Sequence, residues 1–219
     1  KLSWAKRDKG ERIKTNTDIK LSNKRWEMHN IASYRFNNTN GSKIEDNWHE
    51  LLTISYLTNK KRVMPIAFYL FDTNLLLRIN SRHLAGAGFG FFQDKWQHTK
   101  LRLDLGIGYE STLYNGTEFI NTLSPEPRRN KPLGLARLLH QHTFMEGKIR
   151  FSNQVVYRQS FSEGADYYLL VRPQLALGFF KSLSINFSYE YRYENVYLAV
   201  LSPRNTMFLA GLSYQIHKP

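Results

Sequence analysis

Residues 100–110 read KLRLDLGIGYE. In an extended chain Leu101, Leu103, Leu105, Ile107 and Tyr109 share one face, and Lys100, Arg102, Asp104, Gly106, Gly108 and Glu110 share the other. A period of two with unlike faces is the mark of a β-strand. In a soluble sheet the apolar face packs on a core. In an outer-membrane barrel it meets lipid, and the charged face lines the interior.

The same alternation recurs along the chain. In residues 183–193, Ile185, Phe187, Tyr189, Tyr191 and Tyr193 oppose Ser184, Asn186, Ser188, Glu190 and Arg192. Residues 12–21, 26–36, 47–58, 149–161, 166–180 and 206–216 alternate in the same way. Residues 63–79 are apolar and less regular, 133–145 hold a weaker phase, and 83–92 carry Gly86, Gly88 and Gly90 on one face. Polar turn signals stand at 23–25, 59–62, 80–82, 93–95, 146–148, 162–164, 181–182 and 202–205, with a loop at 37–43 and a long one at 114–132. Helix signals are nearly absent. Counting residues 1–8 as a partial first strand, the spacing predicts an all-β, up-and-down antiparallel sheet of about twelve strands in one domain over residues 1–219.

Composition narrows the class. The chain has 219 residues, 22% of them charged, and a net charge of +13. No run of about 18 apolar residues exists, so no transmembrane helix is available. Barrel strands show lipid only every second residue, so a polar total does not exclude a membrane. There is no cysteine, which removes disulfides and thiolate metal sites. The chain opens at Lys1 without an initiator Met or apolar leader, as a mature or trimmed chain would.

Three patterns favour lipid over a protein core. Aromatic residues gather near strand ends, Trp26 and Trp96 beside short turns and Tyr109, Tyr167, Tyr191 and Tyr193 toward the opposite ends, as two interfacial belts require. Short turns alternate with longer loops when counted back from the C-terminus, which puts the short ones on the periplasmic side. The last strand carries Gly211, Tyr214 and Ile216 at alternating positions, similar to the signal read by the barrel-assembly machinery, with Ile rather than Phe near its end.

The run RINSRHLAGAGFG at 78–90, followed by LRLDLGIGYE at 101–110, resembles the bacterial outer-membrane barrels of the domain of unknown function 481, DUF481, some of which are described as salt-induced outer-membrane proteins. The resemblance implies a barrel in the outer membrane of a Gram-negative bacterium. It implies no activity, because the family has no agreed catalytic motif.

Candidate chemistry is sparse. His140 and His142 lie two apart on one strand face without a third metal ligand nearby, so no metal site is assigned. Asn153 in FSNQ lacks the Ser and His that an outer-membrane lipase needs. No catalytic residue and no cofactor is expected. The interior face instead carries Lys100, Arg102, Asp104, Glu110, Arg150, Arg158, Arg172, Glu190 and Arg192, which must be paired or solvated. They form either a salt-bridge network that plugs the lumen or the lining of a thin solute pathway. A basic rim of Lys24, Arg25, Lys60, Lys61, Arg62, Lys95, Lys148 and Lys181, with Lys218, falls at the periplasmic turns, where anionic headgroups attract it. Positive residues in rims and lumen, rather than in one stripe with exposed aromatics, speak against nucleic acid.

The sequence therefore predicts a non-enzymatic outer-membrane barrel, structural or accessory to a larger assembly. A narrow solute or ion channel is the alternative, and a lipid- or lipopolysaccharide-modifying enzyme a third. Expected partners are outer-membrane lipid and lipopolysaccharide, the assembly machinery during insertion, and other outer-membrane proteins.

Overall fold

The computed structural model describes residues 2–7, 10–39, 41–57, 62–96, 98–122, 126–179 and 183–214. Its strands are β1 (Leu2–Arg7), β2 (Gly10–Ser22), β3 (Trp26–Thr39), β4 (Ser42–Tyr56), β5 (Val63–Asn74), β6 (Ile79–Trp96), β7 (Thr99–Tyr114), β8 (Phe119–Ile120), β9 (Arg128–Phe144), β10 (Ile149–Ser160), β11 (Tyr167–Gly178), β12 (Leu183–Glu194), β13 (Tyr197–Leu198) and β14 (Arg204–Tyr214). Among the described residues twelve of these form one antiparallel sheet in chain order, from β1 to β14, leaving out β8 and β13. Among the described residues no helix is long and apolar enough to cross a membrane. β6 runs 18 residues and β7 16, more than the ~9–11 a tilted strand needs to cross hydrocarbon.

The alternation read from the sequence is realised as two faces of a curled wall. On β7, Leu105, Ile107 and Tyr109 are exposed outside at 43, 67 and 56%, while Asp104 and Glu110 are buried inside at 0 and 2%. On β14, Phe208 and Leu212 point outward in the same way. The curl brings distant strands face to face. Arg82 of β6 bonds Glu194 at the end of β12, and Arg35 of β3 reaches Met207 of β14. This is an outer-membrane type of β-barrel.

Part of the interior is apolar. On β5 the inward residues Met64, Ile66 and Phe68 are buried, and Ile66, Phe68, Leu84 and Leu133 form a core cluster with Leu70 and Leu135. Glycines on β6 and β7 make room for it. Gly86 pairs with Gly108 and Gly88 with Gly106 across the ladder. A Cβ on Gly86 would stand 2.4 Å from the Phe68 ring, and one on Gly88 would stand 2.0 Å from the Leu105 carbonyl oxygen. These glycines form a bay in the wall that seats a phenyl ring, not a phosphate loop.

Several boundaries move. Residues 37–43 are not a loop: Thr39 pairs with Ser42, and Gly41, at φ +80°, makes a tight turn. The break expected at 80–82 lies inside β6. The turn is 75–78 instead, where Leu77 N–H donates to the Asn74 side chain and Arg78 sits at φ +53°. Two exposed leucines, Leu75 and Leu76, occupy that turn, so composition misled. The turn expected at 93–95 is an irregular end of β6. The loop expected at 114–132 is shorter, because β9 already begins at Arg128. The alternation of loop length holds in the C-terminal half, where 115–127, 161–166 and 195–203 lie at one end and 145–148 at the other. It fails toward the N-terminus, where the 39–42 hairpin at that same end is tight. The first is the loop end of the sheet and the other its turn end.

Candidate functional site

The loop end of the lumen is crossed by a continuous ionic cluster. Arg82 donates to Glu194 Oε1 at 3.1 Å and to the Tyr114 hydroxyl at 3.4 Å, and lies 3.8 Å from Asp72 and 3.9 Å from Glu110. Glu110 accepts from Arg158 at 2.5 Å and from the Thr112 hydroxyl at 3.2 Å, with Lys131 at 3.4 Å. Lys131 also bonds Asp166 at 2.6 Å, and Arg129 pairs with Glu163 at 2.5 Å and Asp166 at 3.2 Å. The Arg158 guanidinium covers the Tyr168 ring, 4.1 Å from its centroid. Four cations thus meet the carboxylates of Asp72, Glu110, Glu163, Asp166 and Glu194. The cluster ties β5, β6, β7, β9, β10 and β12 to the 161–166 loop.

A lid lies over this cluster. β8, in the 115–127 loop, pairs with β13, in the 195–203 loop. Leu198 packs with Ile79 and Tyr114, and Leu77, Phe119 and Leu201 pack around them. Arg129 sits 5.5 Å from the Phe119 ring centroid, joining lid and cluster.

The middle of the lumen has a different balance. Asp104, fully buried, accepts from Arg102 Nε at 2.7 Å and from Arg137 Nε at 2.8 Å. Glu190 accepts from Arg172 Nε at 2.7 Å and Arg192 Nε at 2.5 Å. Arg35 Nη1 lies 3.5 Å from Met207 Sδ, and Met207 is the ladder partner of Glu190. Four guanidiniums here share two carboxylates, with Arg35 a fifth nearby. A cavity of about 90 Å³ is lined by Arg137, Arg172, Arg192 and Asp104, by Arg82, Arg158 and Asp72 of the loop-end cluster, and by Ile66, Phe68 and Leu70 of the apolar patch.

The residues singled out from sequence are distributed as follows. Arg102, Asp104, Glu110, Arg158, Arg172, Glu190 and Arg192 all enter these clusters. Lys100 and Arg150 are exposed at the turn end and join neither cluster. Lys24, Arg25, Arg62 and Lys148 are exposed at the turn end. Lys60, Lys61, Lys181, Lys218 and Ile216, and the side chains of Lys95, Trp96 and Tyr214, lie outside the described residues. Gly211 is in β14. Trp26 is half exposed and packs edge-on against Tyr56 at 4.8 Å. Tyr167 stacks on Tyr193 at 5.6 Å and approaches Tyr157 at 6.2 Å, while Tyr109 and Tyr191 share that outer face. His140 and His142 lie on the outer face with ring centroids 6.4 Å apart, and His142 Nδ1 bonds Thr99. Among the described residues no group of three His, Cys, Asp or Glu could hold a metal.

Sequence reading missed Arg82, Arg129, Lys131, Arg137, Asp72, Asp166, Glu194 and Arg35 as members of the lumen. Arg82, Arg129 and Lys131 had been given to turns and loops. Extending the alternation of β9 backward would have found a single face, Arg129, Lys131, Leu133, Leu135 and Arg137.

Comparison with known proteins agrees with this architecture. The family described as protein of unknown function, DUF481, matches residues 8–216. A solved NanC porin in a rhombohedral crystal form superposes with a TM-score of 0.52 at 10% identity, over 94% of this chain and 93% of the porin. No curated protein matches the chain.

Proposed function

Since this chain belongs to the DUF481 family and folds as an outer-membrane type of barrel, we propose that it is a narrow, non-enzymatic solute pathway of the Gram-negative outer membrane. The observation that carries the reading is the lumen wall. Buried ion pairs add little stability over well-packed apolar residues, yet this wall keeps nine cations facing seven carboxylates across its two clusters. Polar side chains around a cavity suit a permeating solute better than they suit a stiffening core. The porin neighbour supports a barrel of this gauge.

The pathway in this state is closed at the loop end by side chains rather than by a plug domain. Arg82 spans from β6 to β12 and the β8–β13 lid covers it. The basic turn residues and the C-terminal strand would serve anchoring to anionic headgroups and recognition during assembly.

A second reading, a structural or accessory barrel on a larger assembly, draws on the same cross-lumen bonds, which also brace the wall. Planar-bilayer recording separates the two. Wild-type barrels are expected to give small, intermittent currents, and Arg82→Gln with Glu110→Gln, which cuts the brace, larger and steadier ones. Silence from both, with folded protein inserted, would leave the accessory role.

A further inference from the structure

We propose that the mid-lumen cavity binds a short-chain organic carboxylate, with its carboxylate on the arginine side and its hydrocarbon on the Phe68 side. Two features of the cavity point to this ligand class.

The first is unequal charge. Arg102 and Arg137 share Asp104, and Arg172 and Arg192 share Glu190. The cavity itself is lined by five arginines, Arg82, Arg137, Arg158, Arg172 and Arg192, against two carboxylates, Asp72 and Asp104. Arg35 stands behind it, near Glu190 and Glu45, and reaches Met207. Guanidiniums have five N–H donors each, so donors remain after these bonds. Clustered arginines in a narrow lumen keep a positive potential, and an incoming anion relieves it. Arg172 and Arg192 keep 25 and 21% of their side-chain surface exposed, so a solute can touch them.

The second is the facing wall. Ile66, Phe68 and Leu70 line the same cavity, and the ring of Phe68 is seated in the bay left by Gly86. A fully hydrated anion gains nothing from that side, and an apolar tail does. The cavity, at about 90 Å³, has room for several waters, and so for a carboxylate with a short tail.

The proposal rests on the pathway reading only for how the ligand arrives. It is tested on the full chain folded in detergent micelles by saturation-transfer NMR of the probe's methyl protons. Sodium butyrate and butylammonium chloride are compared, with empty micelles as the control for partitioning. Butyrate is expected to receive saturation and butylammonium, with the same tail and the opposite charge, is not. Arg172→Gln is expected to weaken butyrate binding about tenfold, the worth of one charge-assisted bond, and Arg172→Lys to recover part of it. Should Arg172→Gln not fold, thermal unfolding of the wild type stands in: butyrate is expected to raise the midpoint more than equimolar chloride. Equal signals from butyrate and butylammonium, or no advantage of butyrate over chloride, would overturn the site. A barrel that binds butyrate yet carries no current keeps the site and loses the pathway. One that conducts without discriminating butyrate keeps the pathway and loses the site.

Discussion

The loop-end cluster and the mid-lumen cluster use the same side chains in opposite proportion. At the loop end Arg82, Arg129, Lys131 and Arg158 face five carboxylates, and the bonds run from strand to strand and into a loop. In the middle, four arginines bond Asp104 and Glu190, with Arg35 near Glu190 and Glu45 and Arg192 also near Asp72, so cations outnumber carboxylates. A network in which every charge has a partner fixes positions, because removing any member strands another in low dielectric. One with cations in excess keeps a positive field and has something to offer a passing anion. The first suits a gate and the second a selectivity site.

The comparison breaks most visibly at Glu110, which holds Arg158, Arg82 and Lys131 together. Glu110→Gln is expected to destabilise the barrel by about 3–5 kcal/mol, the usual result of leaving buried charge unpaired. Urea unfolding from lipid vesicles measures it. A loss under about 1 kcal/mol would mean the loop-end cluster is solvated and fixes nothing.

The outer face supplies the reference for both clusters. Ile107, 67% exposed, would be an ordinary surface position in a soluble sheet, and Arg there would be nearly neutral. Facing the bilayer midplane, Ile107→Arg is expected to cost about 2–4 kcal/mol. The same vesicle assay reads it, and a neutral result would remove lipid from the argument.

Gly88 sharpens the contrast between the curved apolar wall and the arginine wall. Gly88→Ala puts a methyl group into the Leu105 carbonyl, so β6 and β7 must separate. The expected loss is about 1–3 kcal/mol, whereas Gly211→Ala on β14, where an added Cβ meets nothing within 4 Å, is expected to be close to neutral. Thermal denaturation of the two variants side by side is the check.

The smallest effect is on selectivity. Arg172→Gln removes one of the two cations on Glu190 while leaving Arg192 in place. Stability should change little, since Arg172 is partly exposed. In an asymmetric salt gradient the reversal potential is expected to move toward cations. An unmoved reversal potential would make the mid-lumen excess irrelevant to permeation.

How far residues alone carried the reading differs between these regions. Strand faces were plain at β7 and β12, where charge and hydrocarbon alternate without exception over ten residues or so. The lumen members on those strands followed directly. β5 was obscure because both of its faces are apolar: Val63, Pro65, Ala67 and Tyr69 outside, Met64, Ile66, Phe68 and Leu70 inside. Period-two alternation of polarity cannot be seen where lipid and an internal core ask for the same side chains. Arg82 and Arg129 were hidden for another reason. They stand next to polar, turn-like residues, yet β6 and β9 run through those residues in strands of 18 and 17.

Sequence alone determined the order and antiparallel direction of the twelve sheet strands and, where the two faces differ in polarity, the side each residue takes, because both depend on neighbours along one ribbon. Which charge meets which was decided by curvature and stagger, since those contacts join strands up to 172 positions apart, as Arg35 and Met207 are. The surplus of arginine in the middle of the lumen, and the balance at its loop end, exist only once the wall has curled around them.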